Sequence, residues 1–218
     1  MSVPTEQLPR GRHHLSREEV RASQRQRMQL AIAAAMADKG YAATSVADVI
    51  KRAGVSRETF YQQFSSKLDC FMSAFDVAGQ VLLARLDDTT GDAAGDAAAG
   101  PEAPIDRFDR AVGVYLESLA AQPALARVFL VEVYAAGPEA MARRTAIQGA
   151  IVDRMARLLD LSDDDRFACE VLVAGVGALV TGPVIAGDAA VLLRLHTRLV
   201  DLVHRALPLR PTPTEEPS

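Results

Sequence analysis

Gly40-Tyr41-Ala42-Ala43-Thr44-Ser45-Val46-Ala47-Asp48-Val49-Ile50, followed after Lys51 and Arg52 by Ala53-Gly54-Val55-Ser56-Arg57-Glu58-Thr59-Phe60-Tyr61-Gln62-Gln63-Phe64-Ser65-Ser66-Lys67, decides how the chain folds. Behind Thr44 and Ser45, the apolar side chains of Val46, Val49, Ile50 and Ala53 recur at helical spacing, which gives a helix of about two turns. Gly54 breaks that helix, Val55 packs, and Ser56 N-caps a third short helix over Arg57–Phe64. Two short helices joined by a tight glycine-containing turn make a helix-turn-helix.

The helical reading extends in both directions. Upstream, Ser16 and Glu19 form a capping box, and Met28, Ala31, Ile32, Ala35 and Met36 place an apolar stripe on one face before Gly40 ends the helix. Downstream, Ser65 or Ser66 caps a fourth helix with Lys67 and Asp69 in its first turn, running through Phe71, Phe75, Val81, Leu82, Leu83 and Leu86 to about Asp88. Gly91–Pro104 is a low-complexity Gly/Asp/Ala/Pro stretch with nothing bulky to bury, and reads as a mobile loop. Beyond it the pattern predicts helices over Ile105–Ala121, Ala124–Ala136, Glu139–Leu161, Asp163–Ala186 and Asp188–Leu207, punctuated by Gln122-Pro123 and Gly137-Pro138. Runs of alternating β-branched residues are missing, so the expected fold is all-α with about nine helices.

Composition agrees with a packed globular protein: 218 residues, 49% hydrophobic and 24% charged. The net charge of -4 would argue against a nucleic-acid partner if it were uniform. It is not uniform. Residues 1–70 hold 11 basic and 7 acidic side chains and all three lysines (Lys39, Lys51, Lys67), whereas 71–218 hold 13 basic and 21 acidic ones. A positive N-terminal third suits phosphate contact, and the acidic remainder stays off a duplex.

The quoted stretch strongly resembles the DNA-binding module of the TetR family of bacterial transcriptional regulators. The family pattern has a first helix ending in K-G-Y, then T-S/T-V-x-D-I, A-G-V-S, T-F/L-Y-x-x-F and a lysine opening the fourth helix, and the likeness covers about residues 20 to 72. It implies 16–70 as the helix-turn-helix DNA-binding domain and 71–207 as a ligand-binding and dimerisation domain, while residues 1–15 read as a flexible arm and the proline- and glutamate-containing 208–218 as a disordered tail. A major groove accepts one helix, and the short third helix has the length and polar face to enter it. Arg57, Glu58, Thr59 and Gln62 are then the expected base readers, since arginine pairs bidentately with guanine and glutamine with adenine. Thr44, Ser45, Tyr61, Gln63 and Lys67 match positions that grip phosphates in the family. Duller readings stand beside these: Thr44, Ser45 and Ser56 as plain helix caps, Lys67 as a solvated charge and Tyr61 as core. The segment Arg10–His14 reads either as a basic arm reaching DNA or as a loose terminus.

Past residue 71 the resemblance is one of layout. It implies a homodimer through the last two helices, where Leu192, Leu195, Leu199 and Leu202, with Val191 and Val203, form one seam and Ala174, Gly175, Gly177 and Ala178 allow close approach. The alternative is that this seam is the domain's own core. A dimer places two recognition helices on a palindromic operator, and a small hydrophobic effector that changes their spacing makes the protein a ligand-released repressor. Candidate pocket residues are Phe75, Phe108, Val112, Tyr115, Phe129, Glu132, Val133, Tyr134, Met155 and Phe167. Glu132 is the oddity, a carboxylate in the apolar run Phe129–Tyr134; it pairs with Arg127 or Arg157, faces solvent, or holds a ligand. A second reading keeps DNA binding but puts control in a protein partner or removes it.

Enzyme motifs are missing: no phosphate loop, no H-E-x-x-H, no nucleophile elbow, and no histidine partner for Cys70. His13 and His14, and His196 and His204, lack ligand partners at metal spacing, so neither metal nor cofactor is expected. Cys70 and Cys169 stand far apart without a secretory signal, which favours a cytoplasmic protein. The uncharged run Val171–Ala186, with Gly175, Gly177, Gly182 and Pro183, reads as a buried helix too short to span a bilayer.

Overall fold

A computed structural model describes residues 16–90 and 103–206, and every regular element among them is helical. The helices are α1 (Arg17–Ala43), α2 (Val46–Ala53), α3 (Arg57–Tyr61), α4 (Lys67–Thr90), α5 (Pro104–Ala121), α6 (Pro123–Leu130), α7 (Pro138–Leu158), α8 (Arg166–Ala186), α9 (Ala189–Leu193) and α10 (Leu195–Ala206). Two 3₁₀ turns, Glu132–Ala135 and Asp163–Asp165, follow α6 and precede α8. The expectations for the Arg10–His14 arm, for residues 91–102 and for the tail from Pro208 fall outside the described residues.

Local chemistry sets most boundaries. Ser16 and Glu19 form the reciprocal capping box at the start of α1, Glu19 N–H donating to Ser16 Oγ at 3.1 Å and Ser16 N–H to Glu19 Oε2 at 2.6 Å. Gly40, inside the span of α1, departs from helical geometry at φ 79°, so the helix proper ends where the glycine predicts. Proline opens α5, α6 and α7, where its missing N–H costs nothing.

In the larger part, three predicted helices end or divide differently. Ala124–Ala136 is not continuous: Val131 leaves the helical region (φ -121°, ψ -58°), and the chain continues as the 3₁₀ turn that carries Glu132 inward. The helix predicted to Leu161 stops at Leu158, just ahead of Asp160 in the left-handed region at φ 51°. Asp188–Leu207 divides at Arg194 into α9 and α10.

In the N-terminal part, Met28, Ile32 and Met36 of α1 meet Val49 of α2, Phe60 of α3, the following Phe64, and Phe71 of α4, all essentially without exposure. Each such side chain contributes about 1.5–3 kcal/mol through burial. α4 continues out of this cluster to pack on α5, α6 and α7, and α1 also rests on α6. Aromatic rings follow α4 across: Tyr41 meets Phe71 edge-on at 5.4 Å, Phe71 lies 6.0 Å from Phe75, and Phe75 stacks on Phe129 of α6 at 5.0 Å.

α9 and α10 cover α5, with Leu192, Leu199 and Val203 buried inside the protomer. This corrects the single leucine seam, because Leu192 and Leu199 belong to the domain's own core; Leu195 is half-buried and Leu202 exposed. α8 departs from expectation in the opposite sense. By length and composition its 21 residues are enough to cross a membrane, and instead of being buried all round it packs only one face, through Cys169, Val180 and Val184. Its other face leaves Phe167, Val171, Leu179 and Ile185 exposed beside Ala174, Gly175, Ala178 and Gly182.

Candidate nucleic-acid interface and effector cavity

The helix-turn-helix is built by caps and held by aromatic rings. Ser45 N–H donates to Asp48 Oδ2 at 2.8 Å and Asp48 N–H returns to Ser45 Oγ at 3.3 Å, a second capping box that starts α2. Lys39 Nζ lies 2.7 Å from the same carboxylate. With the Ser45 hydrogen bonds it holds Asp48 well below the usual carboxylate range. Gly54 closes α2 in the left-handed region at φ 64°. Ser56 Oγ then accepts Thr59 N–H at 3.0 Å and starts α3.

α3 is shorter than predicted, so Gln62 and Gln63 sit in the turn that follows it. Phe60 is fully buried with its ring 5.7 Å from that of Phe64, and the pair fixes which face turns outward. That outer face presents Arg57, Glu58, Tyr61 and Gln62, all exposed, with Thr59 half-buried. The Arg57 guanidinium rests 5.4 Å from the Tyr61 ring centroid, and Gln62 Nε2 donates to Glu58 Oε1 at 3.2 Å. Among the described residues no carboxylate forms an ion pair with Arg57, so its guanidinium keeps its donors. Tyr61 is 46% exposed, which excludes the core reading.

Two expected phosphate contacts have other positions. Thr44 is 2% exposed, and its hydroxyl donates to the Gly40 carbonyl at 2.8 Å. Its side chain is therefore a buried brace rather than an accessible phosphate donor. Lys67 Nζ donates to the carbonyls of Tyr41 at 2.8 Å and Thr44 at 2.9 Å, 4.1 Å above the Tyr41 ring. Partial burial lowers its pKa. Lys67 is first a tether between α4 and the α1–α2 joint. Ser45 remains exposed and Gln63 half-buried, its Nε2 3.5 Å from Gln24 Oε1.

Sequence reasoning missed Arg25, Gln29 and Ser73. Arg25 donates to Gln63 O at 3.1 Å and Ser73 Oγ at 2.9 Å, with its guanidinium 4.4 Å over the Phe64 ring. Gln29, itself buried, donates to Ser73 Oγ at 2.8 Å. These contacts fix the end of the recognition unit to α1 and α4. The available signal was two polar residues four apart on the otherwise apolar side of α1.

The larger part contains an apolar cavity of about 70 Å³ between α4, α5, α7 and α8. Of the ten pocket candidates, Phe108, Val112, Tyr115 and Met155 line it, together with Leu82, Leu86, Ala111, Ile151, Leu172, Val173 and Val176. Phe75 and Phe129 stack on each other in the core instead. Val133 is buried in the 3₁₀ turn. Phe167 is 73% exposed and Tyr134 58%, so neither belongs to this cavity. Glu132 is buried away from it: Oε2 accepts Tyr41 N–H at 2.7 Å and Oε1 lies 3.3 Å from Arg127, not Arg157. His196 approaches Asp109 on α5, Nε2 to Oδ1 3.1 Å.

A short, polar-faced helix seated by two phenylalanines behind a capped first helix, carried on a larger helical body, is the architecture of a helix-turn-helix module joined to a helical domain. The chain matches, over residues 30–74, the family model described as bacterial regulatory proteins, tetR family. Its fold is similar to the fatty acid degradation regulator FadR from Bacillus halodurans, with a TM-score of 0.70 and 20% identity over 84% of this chain and 98% of that one. It is also similar to FadR from Bacillus subtilis, solved in complex with stearoyl-CoA, with a TM-score of 0.69 and 19% identity over 84% of this chain and 98% of that one. A TetR-like regulator from Rhodococcus sp. RHA1 gives 0.63 and 20% over 89% of this chain and 100% of the other. No curated protein matches the sequence.

Proposed function

We propose that the protein is a homodimeric repressor that reads a palindromic operator with α3 of each subunit and is released by a small apolar effector. On this reading residues 16–70 bind DNA and 71–207 bind the effector and the second subunit, with the protein acting in the cytoplasm. The observation that carries it is the outer face of α3, where Arg57 has no ion-pair partner among the described residues and Tyr61 and Gln62 are exposed around it. Arg57 and Gln62 supply base contacts, while Ser45, Tyr61 and Gln63 set register on the phosphates. The apolar outer face of α8, with Leu202 of α10, supplies the surface for a second subunit, since soluble monomers rarely leave such a stripe uncovered. Two recognition helices then address half-sites about 34–36 Å apart.

Support for the effector is the apolar cavity on helices that also carry α3 and the dimer face, so that filling it alters the spacing of the two α3 helices. The similar FadR fold holding stearoyl-CoA is consistent with such a site. Selection from random duplexes, followed by affinity measurement at fixed salt, tests the operator claim. Enrichment of a palindrome bound at least a hundredfold more tightly than random DNA is expected, and equal affinity for both defeats it.

A further inference from the structure

Between α3 and the outer face of α8 lies a seam in which α4 runs parallel to α7 in a fixed register. Asp76 meets Arg143 at one end, Nε donating to Oδ1 at 2.5 Å and NH2 to Oδ2 at 3.0 Å. Asp87 meets Arg154 at the other, Nε donating to Oδ1 at 2.7 Å and NH2 to Oδ2 at 2.9 Å. Each pair joins residues 67 positions apart in sequence. The two aspartates, like the two arginines, are three helical turns apart, which puts both pairs on one face with about 16 Å between them. Between them Gly79 faces Ile147, and a Cβ at position 79 would stand 2.5 Å from Ile147 Cδ1.

Isolated surface ion pairs contribute little, but bidentate arginine–carboxylate pairs acting together are the exception. Their common offset admits one register. Sliding α4 by one turn breaks both pairs at once and brings Phe75 or Leu83, four positions to either side of Gly79, against Ile147.

Both helices of the seam are tied to parts whose spacing matters on DNA. Lys67, held by the Tyr41 and Thr44 carbonyls, and Ser73, held by Arg25 and Gln29, fix the first two turns of α4 to the helix-turn-helix. The same helix then continues into the seam. On α7, the Val152 carbonyl accepts from Cys169 Sγ of α8 at 3.7 Å, and Asp153 pairs with Arg166 of α8 at 2.5 Å. Three successive residues of α7, ending in Arg154, therefore connect α8 to α4.

In a two-fold dimer a displacement of α4 along α7 moves both α3 helices, so its effect on their separation doubles. One helical turn, about 5.4 Å, already exceeds the rise of about 3.4 Å per base pair. We propose that Asp76, Gly79, Asp87, Arg143 and Arg154 are positioning residues that set the distance between the two recognition helices, and with it the half-site spacing the operator must have. The proposal rests on the dimeric, operator-binding reading above.

The palindrome selected by the full-length wild type, resynthesised with its centre shortened or lengthened by one and by two base pairs, tests it at fixed salt. A duplex carrying a single half-site and sedimentation serve as controls. Wild type should prefer one spacing over its neighbours by at least about tenfold. Asp76→Asn combined with Asp87→Asn should reduce that preference to about threefold or less, with dimerisation and single half-site affinity unchanged. Asp76→Arg alone should also flatten the profile, and adding Arg143→Asp should restore it. Variants that keep the wild-type profile, or that weaken equally at every spacing, overturn the positioning role, as does a wild type that binds the palindrome at all spacings alike. A wild type that binds palindrome and random DNA alike overturns the operator reading and this inference together.

Discussion

Glu132 Oε2 accepts the backbone N–H of Tyr41 at 2.7 Å, joining the turn after α6 to the joint between α1 and α2. Gly40 makes the contact reachable: its positive φ ends the helical ladder one residue earlier and turns the Tyr41 N–H outward. On its other side Tyr41 offers its carbonyl to Lys67, so one residue is held by both halves of the molecule. Glu132 is 5% exposed. Glu132→Ala leaves the half-buried Tyr41 N–H without its acceptor and the part-exposed Arg127 guanidinium without its carboxylate, at a cost of about 1–3 kcal/mol. Glu132→Gln keeps an acceptor for Tyr41 and should lose less. Urea unfolding measures both variants, hydrogen exchange at the Tyr41 amide should accelerate in the first, and equal losses in the two defeat the account.

Lys67 and Arg57 should separate cleanly in experiment because one is committed inside the fold and the other is not. Lys67→Ala removes two charge-assisted hydrogen bonds to carbonyls, lowering folding stability by about 1–3 kcal/mol and weakening every DNA sequence alike. Arg57→Ala should change stability by no more than about 0.5 kcal/mol. Its loss appears instead as relaxed discrimination at one operator position, about 1–3 kcal/mol. Thermal denaturation beside binding to single-substitution operators distinguishes them, and a stable Lys67→Ala protein with a flattened salt slope would restore the phosphate role.

The N-terminal elements were legible because short-range chemistry specifies them: Ser16 with Glu19, Ser45 with Asp48, Ser56 with Thr59 and Gly54 at a left-handed turn each act within a few residues. Which of their polar side chains stay accessible was only partly legible, since whether Thr44 and Lys67 face outward depends on carbonyls of the Gly40–Thr44 segment that composition does not reveal. In the larger part, 3-4 spacing identified helices but not which side of each is covered. Leu192 and Leu199 turn to α5 and Phe167 to the surface, although all are equally apolar in sequence. Glu132 stood out by composition alone, but its partner Tyr41 lies ninety-one positions away and only tertiary packing supplies it.

Acid stability should depend on Asp48. Its folded pKa is depressed by Lys39 first and by Ser45 second, while the unfolded carboxyl titrates near its ordinary value of about 3.9. The sign follows: a depressed folded pKa contributes stability above the unfolded value, and that contribution is lost as pH falls through and below it. Between about pH 5 and pH 2 the wild type should therefore lose stability more steeply than Asp48→Asn. Denaturant midpoints across that range check the difference in slope, and parallel profiles would exclude a role for the Lys39–Asp48–Ser45 cluster.

The outer face of α8 gives the clearest test of assembly, because its apolar side chains can be changed without opening the core. Val171 is 56% exposed and Leu179 51%. Substitutions at such positions usually shift folding stability by only about 0.5 kcal/mol. In a dimer sealed by this face, Val171→Asp or Leu179→Asp buries an unpaired charge on each side of the contact, and symmetry doubles the penalty. Each variant should sediment as a folded monomer at micromolar concentration while the wild type sediments as a dimer. Operator affinity should fall with it by more than tenfold, since a single α3 reads only one half-site. A wild-type monomer, or a variant that stays dimeric, places the second subunit elsewhere and leaves the exposed stripe of α8 to a different partner.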